Sequence, residues 1–180
     1  MRIKFLPCFF IPFLSSVAFA QPQVASFKDL QRLLPQSEFQ NFIRGKPTGE
    51  TSTMMGFSTS WAEVMYRGAI DSVDGTVTVK ITDMLNIPSY MSIAPALNTE
   101  LDRETGSGYE KTVTYNDMKV VETCDSTSRE AKLQLTFVNR FLIEIGAEGI
   151  EDPKALYAFL DKTDLDGLRK IVQLSAATKK

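Results

Sequence analysis

The chain has 180 residues and a net charge of −2, with 20 basic and 22 acidic side chains. A mildly acidic chain without a basic run is a poor match for nucleic-acid binding, because phosphate neutralisation needs clustered Lys and Arg. It contains no histidine, which excludes Ser-His-Asp and Cys-His catalysis and the commonest zinc ligand. We therefore predict no cofactor and no metal site.

The first twenty residues have the order of a bacterial secretory signal peptide. Arg2 and Lys4 give a short basic start, residues 5–17 are mostly apolar, and Ala18 and Ala20 supply the small residues of a cleavage site. We predict cleavage after Ala20 and a single α+β domain over residues 21–180. No later apolar run approaches the ~18 residues of a membrane span. The expected location is the periplasm, or the medium after secretion, of a Gram-negative bacterium.

Cysteine content sets the redox expectation. Cys8 lies inside the predicted leader and is lost with it, so Cys124 is the one cysteine of the mature chain. No intramolecular disulfide can form. Two alternatives stay open for Cys124: a buried thiol, as free cysteines usually are, or an intermolecular link.

The first predicted elements are a helix and a hairpin. Residues 26–34 have Ser26 as an N-cap and an apolar face, and Pro35 ends this helix. Residues 45–49 are rich in Gly and Pro and indicate a linker. Residues 57–67 alternate as a strand, with a helix from position 60 as the alternative. A turn over residues 71–75 then leads to a strand over residues 76–84, which completes the hairpin.

The second half predicts a short helix, a meander and terminal helices. The short helix lies between Pro88 and Pro95, and a loop follows over residues 99–107. Four strands come next, with turns at Asn116–Asp117 and Asn139–Arg140; they cover residues 109–115, 118–124, 131–138 and 141–145. Helices begin near residues 152 and 163. The predicted fold class is α+β: an antiparallel sheet of about six strands with helices packed on it.

Candidate catalytic groups are few. Carboxylates are the main option, but no spacing brings two of them together; the ones considered are Glu63, Asp83, Glu100 and Glu122. Cys124 lies beside acidic residues, which raise a thiol pKa and disfavour the thiolate. Asp164 and Asp166 resemble a calcium loop, yet Lys162 and Gln173 occupy its end-ligand positions, so helix capping explains these acids better.

The most suggestive surface is apolar. Its members lie in two segments rich in methionine and aromatic residues, and they are Met54, Met55, Tyr90, Met91 and Ile93. Two interpretations remain open. These side chains pack in the core beside the strands, or they form an exposed surface for a partner or an apolar ligand.

Several short segments carry a family resemblance. They are residues 49–56 (GETSTMMG), 81–83 (ITD), 108–112 (GYEKT) and 140–142 (RFL). Together they resemble a group of small exported bacterial proteins of unknown function. The order of elements is also similar to the Mog1/PsbP-like α/β sandwich. This resemblance implies a scaffolding or accessory role and brings no catalytic residues with it.

These observations favour a non-enzymatic accessory or binding protein of the cell envelope. Its expected partner is an envelope protein or a small apolar ligand. The alternatives are a carrier that holds such a ligand between sheet and helices and, with less support, a carboxylate-based hydrolase.

Overall fold

An antiparallel sheet of nine strands contains about half of the described residues. The structure is a computed structural model that describes residues 23–39, 41–54, 57–70, 73–87, 97 and 99–177. The first elements are α1 (Phe27–Leu33), β1 (Phe42–Arg44), β2 (Thr48–Met54), β3 (Phe57–Ile70) and β4 (Val73–Asp83). They are followed by β5 (Asp102–Glu104), β6 (Gly108–Tyr115), β7 (Met118–Asp125), β8 (Glu130–Phe137) and β9 (Phe141–Glu148). A 3₁₀ helix (Pro153–Leu156), α2 (Tyr157–Asp161) and α3 (Leu165–Ala177) complete the described elements.

The strand order is β1-β3-β4-β9-β8-β7-β6-β5, and β2 also pairs with β3. The hairpin β3–β4 and the meander β6–β9 are joined where β4 pairs antiparallel with β9. β1 and β2 therefore lie together at one edge of the sheet. The short β5 lies at the other edge.

One face of the sheet, called here the core face, carries the main hydrophobic core. Strand alternation directs every second side chain of the central strands to this face; the buried ones include Val64, Tyr66, Val77, Val79, Ile81, Leu133, Leu135, Ile143 and Ile145. Helical residues cover them and belong to the same cluster; they are Leu30, Leu156, Phe159, Leu160 and Leu168. The helices thus contribute a thin layer over a large sheet.

The opposite face, called here the outer face, is mostly polar. A small second cluster forms on it from Met84, Leu97, Val121 and Leu142. Among the described residues, no helix has both the length and the apolar character that crossing a membrane requires.

The predicted sheet of about six strands with helices packed on it is wrong. The sheet has nine strands, and the described α-helices are short. The strands that sequence analysis missed are β1, β2 and β5. No element was predicted for the residues of β1, β2 begins in the predicted linker and continues past it, and β5 lies in the predicted loop. Their sequences lack apolar alternation, and pairing with a long neighbouring strand holds them in extended form.

A buried ion pair lies where the end of β4 meets the β8–β9 turn. Asp83 and Arg140 are 0% and 5% exposed. Arg140 Nε donates to Asp83 Oδ1 over 3.0 Å, and Nη2 donates to Oδ2 over 2.7 Å. This bidentate geometry offsets part of the cost of removing both charges from water.

The same two side chains hold chain segments that are distant in sequence. Asp83 Oδ2 accepts from the Ala25 amide over 2.8 Å, just before α1. Arg140 Nη1 donates to Ser175 Oγ over 2.9 Å, in the last turns of α3, and Nη2 donates to the Gln23 carbonyl over 3.3 Å. One ion pair therefore connects the start of the described chain, the sheet and the final helix.

We predict that Asp83→Ala lowers the free energy of unfolding by about 3–5 kcal/mol, because it leaves the Arg140 guanidinium buried without its carboxylate. Urea unfolding followed by circular dichroism measures this loss. Glu151→Gln is the control: it removes an ion pair with Arg129 that is about half exposed on both sides, so its expected cost is about 0–1 kcal/mol. Equal small losses in both variants would contradict the role given to Asp83.

Candidate functional site

The β2–β3 hairpin extends past the rest of the sheet. Its last paired residues are Met54 and Phe57, whereas pairing between β3 and β4 stops at Ser60. The three residues from Phe57 to Thr59 therefore project beyond β4, a length of about 10 Å.

Hydroxyl pairs stiffen this projecting hairpin. Directly opposite side chains bond across the two strands; the pairs are Thr51–Ser60 at 2.9 Å, Ser52–Thr59 at 3.2 Å and Thr53–Ser58 at 2.8 Å. Cross-strand hydroxyl bonds of this kind stabilise an antiparallel pair. Side-chain bonds therefore connect the two strands of the hairpin in addition to their backbone pairing.

The end of the hairpin is apolar and exposed. Met54 is 75% exposed and Phe57 is 52% exposed; these two residues are called here the apolar tip. Both side chains lie on the outer face, since Met54 pairs with Phe57 and the odd-numbered residues of β3 alternate away from the buried Ala62 and Val64. Large apolar side chains that are exposed side by side are typical of a contact surface.

A second apolar area lies at the other end of the same edge. Ile43 is 80% exposed and Met65 is 40% exposed. Both line an open groove of about 480 Å³, called here the side groove. Its lining among the described residues is Ile43, Gly45, Lys46, Thr48, Glu63, Met65 and Arg67. Lys46 and Arg67 have no ion-pair partner among the described residues. The groove is therefore apolar with a net positive rim.

The predicted surface residues fall in two groups. Met54 is exposed at the apolar tip, as expected of a contact surface. Met55, Tyr90, Met91 and Ile93 lie outside the described residues. The structure adds Phe57, Ile43 and Met65, which sequence analysis did not select. Alternation in β3 predicts that Phe57 and Met65 lie on the same face of the sheet. The sequence does not show which face the helices cover, so it could not predict that these two side chains are exposed.

A polar cluster lies on the core face, where β6 and β7 meet the start of α2. Glu122 is 6% exposed. Its Oε1 accepts from the Tyr157 hydroxyl over 2.6 Å, and its Oε2 lies 3.3 Å from Lys111 Nζ. Burial, and then its hydrogen bond to Glu122, raises the pKa of Tyr157. The separate hydrogen bond from Lys111 to Glu122 raises the pKa of Lys111. Both carboxylate oxygens are therefore occupied, so Glu122 anchors α2 to the sheet.

The other carboxylates that sequence analysis considered are far from forming a pair. Asp83 bonds Arg140, and Glu100 bonds Lys119 at 2.6 Å. Glu63 accepts a long bond of 3.4 Å from the Thr48 hydroxyl. Each carboxylate thus has its own separate partner, and the arrangement offers no shared proton for acid–base chemistry.

Cys124 is half-buried, and its thiol donates to the Glu151 carbonyl over 3.1 Å. Burial raises its pKa, and the carboxylates of Glu151, Asp125 and Asp152 raise it further. A raised pKa keeps the thiol protonated at neutral pH and lowers its nucleophilicity.

Comparison with known proteins found no matching family model, no matching curated protein and no matching solved structure. The resemblance to small exported bacterial proteins and to the Mog1/PsbP-like sandwich therefore stays a prediction.

We predict that Tyr157→Phe lowers the free energy of unfolding by about 1.5–3 kcal/mol, because it removes a hydrogen bond to a buried charged group. Tyr115→Phe is the matched control. The Tyr115 ring lies 4.2 Å from the Tyr157 ring, but its hydroxyl bonds Asp161 at an exposed position, so its cost should stay below about 1 kcal/mol. Chemical denaturation of both variants gives the comparison, and a loss for Tyr115→Phe as large as that for Tyr157→Phe would refute the anchoring role of Glu122.

Proposed function

We propose that this chain is an exported, non-enzymatic accessory or binding protein of the periplasm, which contacts its partner through the apolar tip and the side groove. The observation that carries this proposal is the exposure of Met54 and Phe57 on an ordered projection. Both side chains stay in contact with water in the folded chain. Burying them against a partner would give a favourable binding free energy, and this role involves no catalysis.

The location rests on the leader pattern. A basic start, an apolar centre and small residues at Ala18 and Ala20 support export. After cleavage Cys124 would be the one cysteine, so no intramolecular disulfide could form in the periplasm. The buried ion pair and the hydrophobic core hold the described fold together.

The ligand-carrier alternative has less support. A carrier would hold its ligand between sheet and helices, and aromatic side chains fill much of that space. Phe39 stacks on Phe159 with ring centroids 3.9 Å apart, and Tyr66 packs edge-on against both rings. The hydrolase alternative has less support too, because Glu122 is fully occupied by Tyr157 and Lys111.

Site-specific photo-crosslinking tests the proposal. A benzophenone amino acid replaces Met54 in the full chain, which is expressed in its own bacterium and irradiated in intact cells. We expect a discrete covalent adduct in the envelope fraction, because the partner covers this side chain. Mass spectrometry of the adduct identifies the partner.

The matched control places the same benzophenone at Leu174, an apolar residue of α3 that is 69% exposed. We expect at least a ~10-fold lower adduct yield there, because α3 is not part of the proposed contact surface. Equal yields at both positions, or no adduct at Met54, would contradict a binding role for the apolar tip.

A further inference from the structure

The first described residues lie next to the predicted cleavage site in the sequence. Cleavage after Ala20 would make Gln23 the third residue of the mature chain and Ala25 the fifth. An extended chain rises at most about 3.6 Å per residue, so the Cα atoms of Ala20 and Gln23 are no more than about 11 Å apart. The start of the described fold is therefore close to the bond that a signal peptidase would cut.

The buried ion pair holds the backbone of this short segment. The Ala25 amide donates to Asp83 Oδ2 over 2.8 Å, and the Gln23 carbonyl accepts from Arg140 Nη2 over 3.3 Å. Asp83 is 0% exposed, and the Ala25 side chain packs against the main hydrophobic core. Hydrogen bonds to charged groups therefore dock residues 23–25 on the folded domain.

The next two residues are held as well. Ser26 is the N-cap of α1, and its Oγ accepts from the Asp29 amide over 3.2 Å. The Phe27 amide donates to Thr51 Oγ1 over 2.9 Å, which connects the first residue of α1 to β2. Drawing this part of the chain into an extended form would therefore break several hydrogen bonds in succession.

A docked segment this close to the scissile bond hinders cleavage. Proteolysis beside such a segment proceeds through a locally opened form, so its rate falls with the population of that form. A folded domain over residues 21–180 has an expected radius of gyration of about 15 Å, which exceeds the ~11 Å of chain between Ala20 and Gln23. The docked domain would therefore obstruct the approach of the peptidase.

The receiving site does not need the segment in order to form. Arg140 Nε and Nη2 both donate to the Asp83 carboxylate, and this bidentate bond joins the end of β4 to the β8–β9 turn without any residue before α1. The ion pair can thus assemble with the sheet and bind Gln23 and Ala25 afterwards. An interval therefore exists in which the sheet is formed and the segment is still free.

We propose that the Asp83–Arg140 ion pair sets the order of maturation: the leader is cut first, and docking of Gln23 and Ala25 on the ion pair then completes the fold and closes the cleavage site to the peptidase. A precursor that folds before it is cut is therefore a poor substrate. This inference rests on the export that the proposed function includes, and it adds a step at which folding and cleavage compete.

Cleavage of the full precursor by a purified bacterial signal peptidase in mild detergent tests this order. The precursor is diluted from urea and mixed with the peptidase either at once or after circular dichroism shows that folding is complete. We expect the folded precursor to be cut at least ~10-fold more slowly, because only its locally opened form is a substrate. Equal rates for the two samples would overturn the inference.

A linker variant tests whether the anchored segment causes the slow cleavage. Six residues of alternating Gly and Ser, inserted between Pro22 and Gln23, add about 20 Å of chain and leave the residues next to the scissile bond unchanged. The folded linker variant should be cut as fast as the freshly diluted precursor. The same insertion after Lys180 is the control and should leave cleavage slow. Slow cleavage of the folded linker variant would overturn the proposed cause.

Ala25→Pro tests the contact with the ion pair. Proline removes the amide that donates to Asp83 and leaves the ion pair itself in place. The folded Ala25→Pro precursor should be cut several-fold faster than the unmodified folded precursor. An unchanged rate would overturn the anchoring role of Asp83.

The two proposals fail separately. Equal cleavage of the folded and the freshly diluted precursor overturns the order of maturation and leaves export intact. A precursor that is cut in neither state contradicts the predicted leader, and with it the export on which both proposals depend. The binding role of the apolar tip is tested by photo-crosslinking alone.

Discussion

The ion pair between Asp83 and Arg140 is the constraint on which the arrangement of this fold depends. It closes the junction of β4 with the β8–β9 turn, and its remaining hydrogen-bonding groups hold Ala25, Gln23 and Ser175. A charge pair in this position stabilises the fold only while all of its partners are present. The pair therefore connects the described start of the chain, the sheet and the last helix through direct hydrogen bonds.

The contacts that stabilise the fold do not involve the end of the β2–β3 hairpin, which can therefore contact a partner. The central strands and the helices bury their apolar residues on the core face, and Glu122 fixes α2 through Tyr157. None of these contacts needs the apolar tip, whose Met54 and Phe57 stay exposed. The stability of the fold and the contact surface thus reside in different side chains, so that surface substitutions at the tip can alter binding without unfolding the protein.

Sequence patterns located the elements with strong alternation. Val77, Val79 and Ile81 are buried as alternation in β4 predicts, and the meander strands begin and end close to the predicted residues. β2 was missed because TGETSTM has no apolar alternation, so that only pairing with β3 makes it a strand. The turn before Arg140 lies one residue earlier than predicted, with Val138 and Asn139 both at positive φ. Left-handed valine is rare, so no local rule would place it there. Met54 was selected for its adaptable side chain, but its exposure depends on the tertiary fold.

Hydrogen–deuterium exchange tests most directly whether the β2 edge of the sheet is accessible while the strands joined by the buried ion pair are protected. We expect fast exchange for the outward amides of β2 and slow exchange throughout β4, β8 and β9. Exchange of the outward β2 amides as slow as that of the β4 amides would contradict an accessible edge.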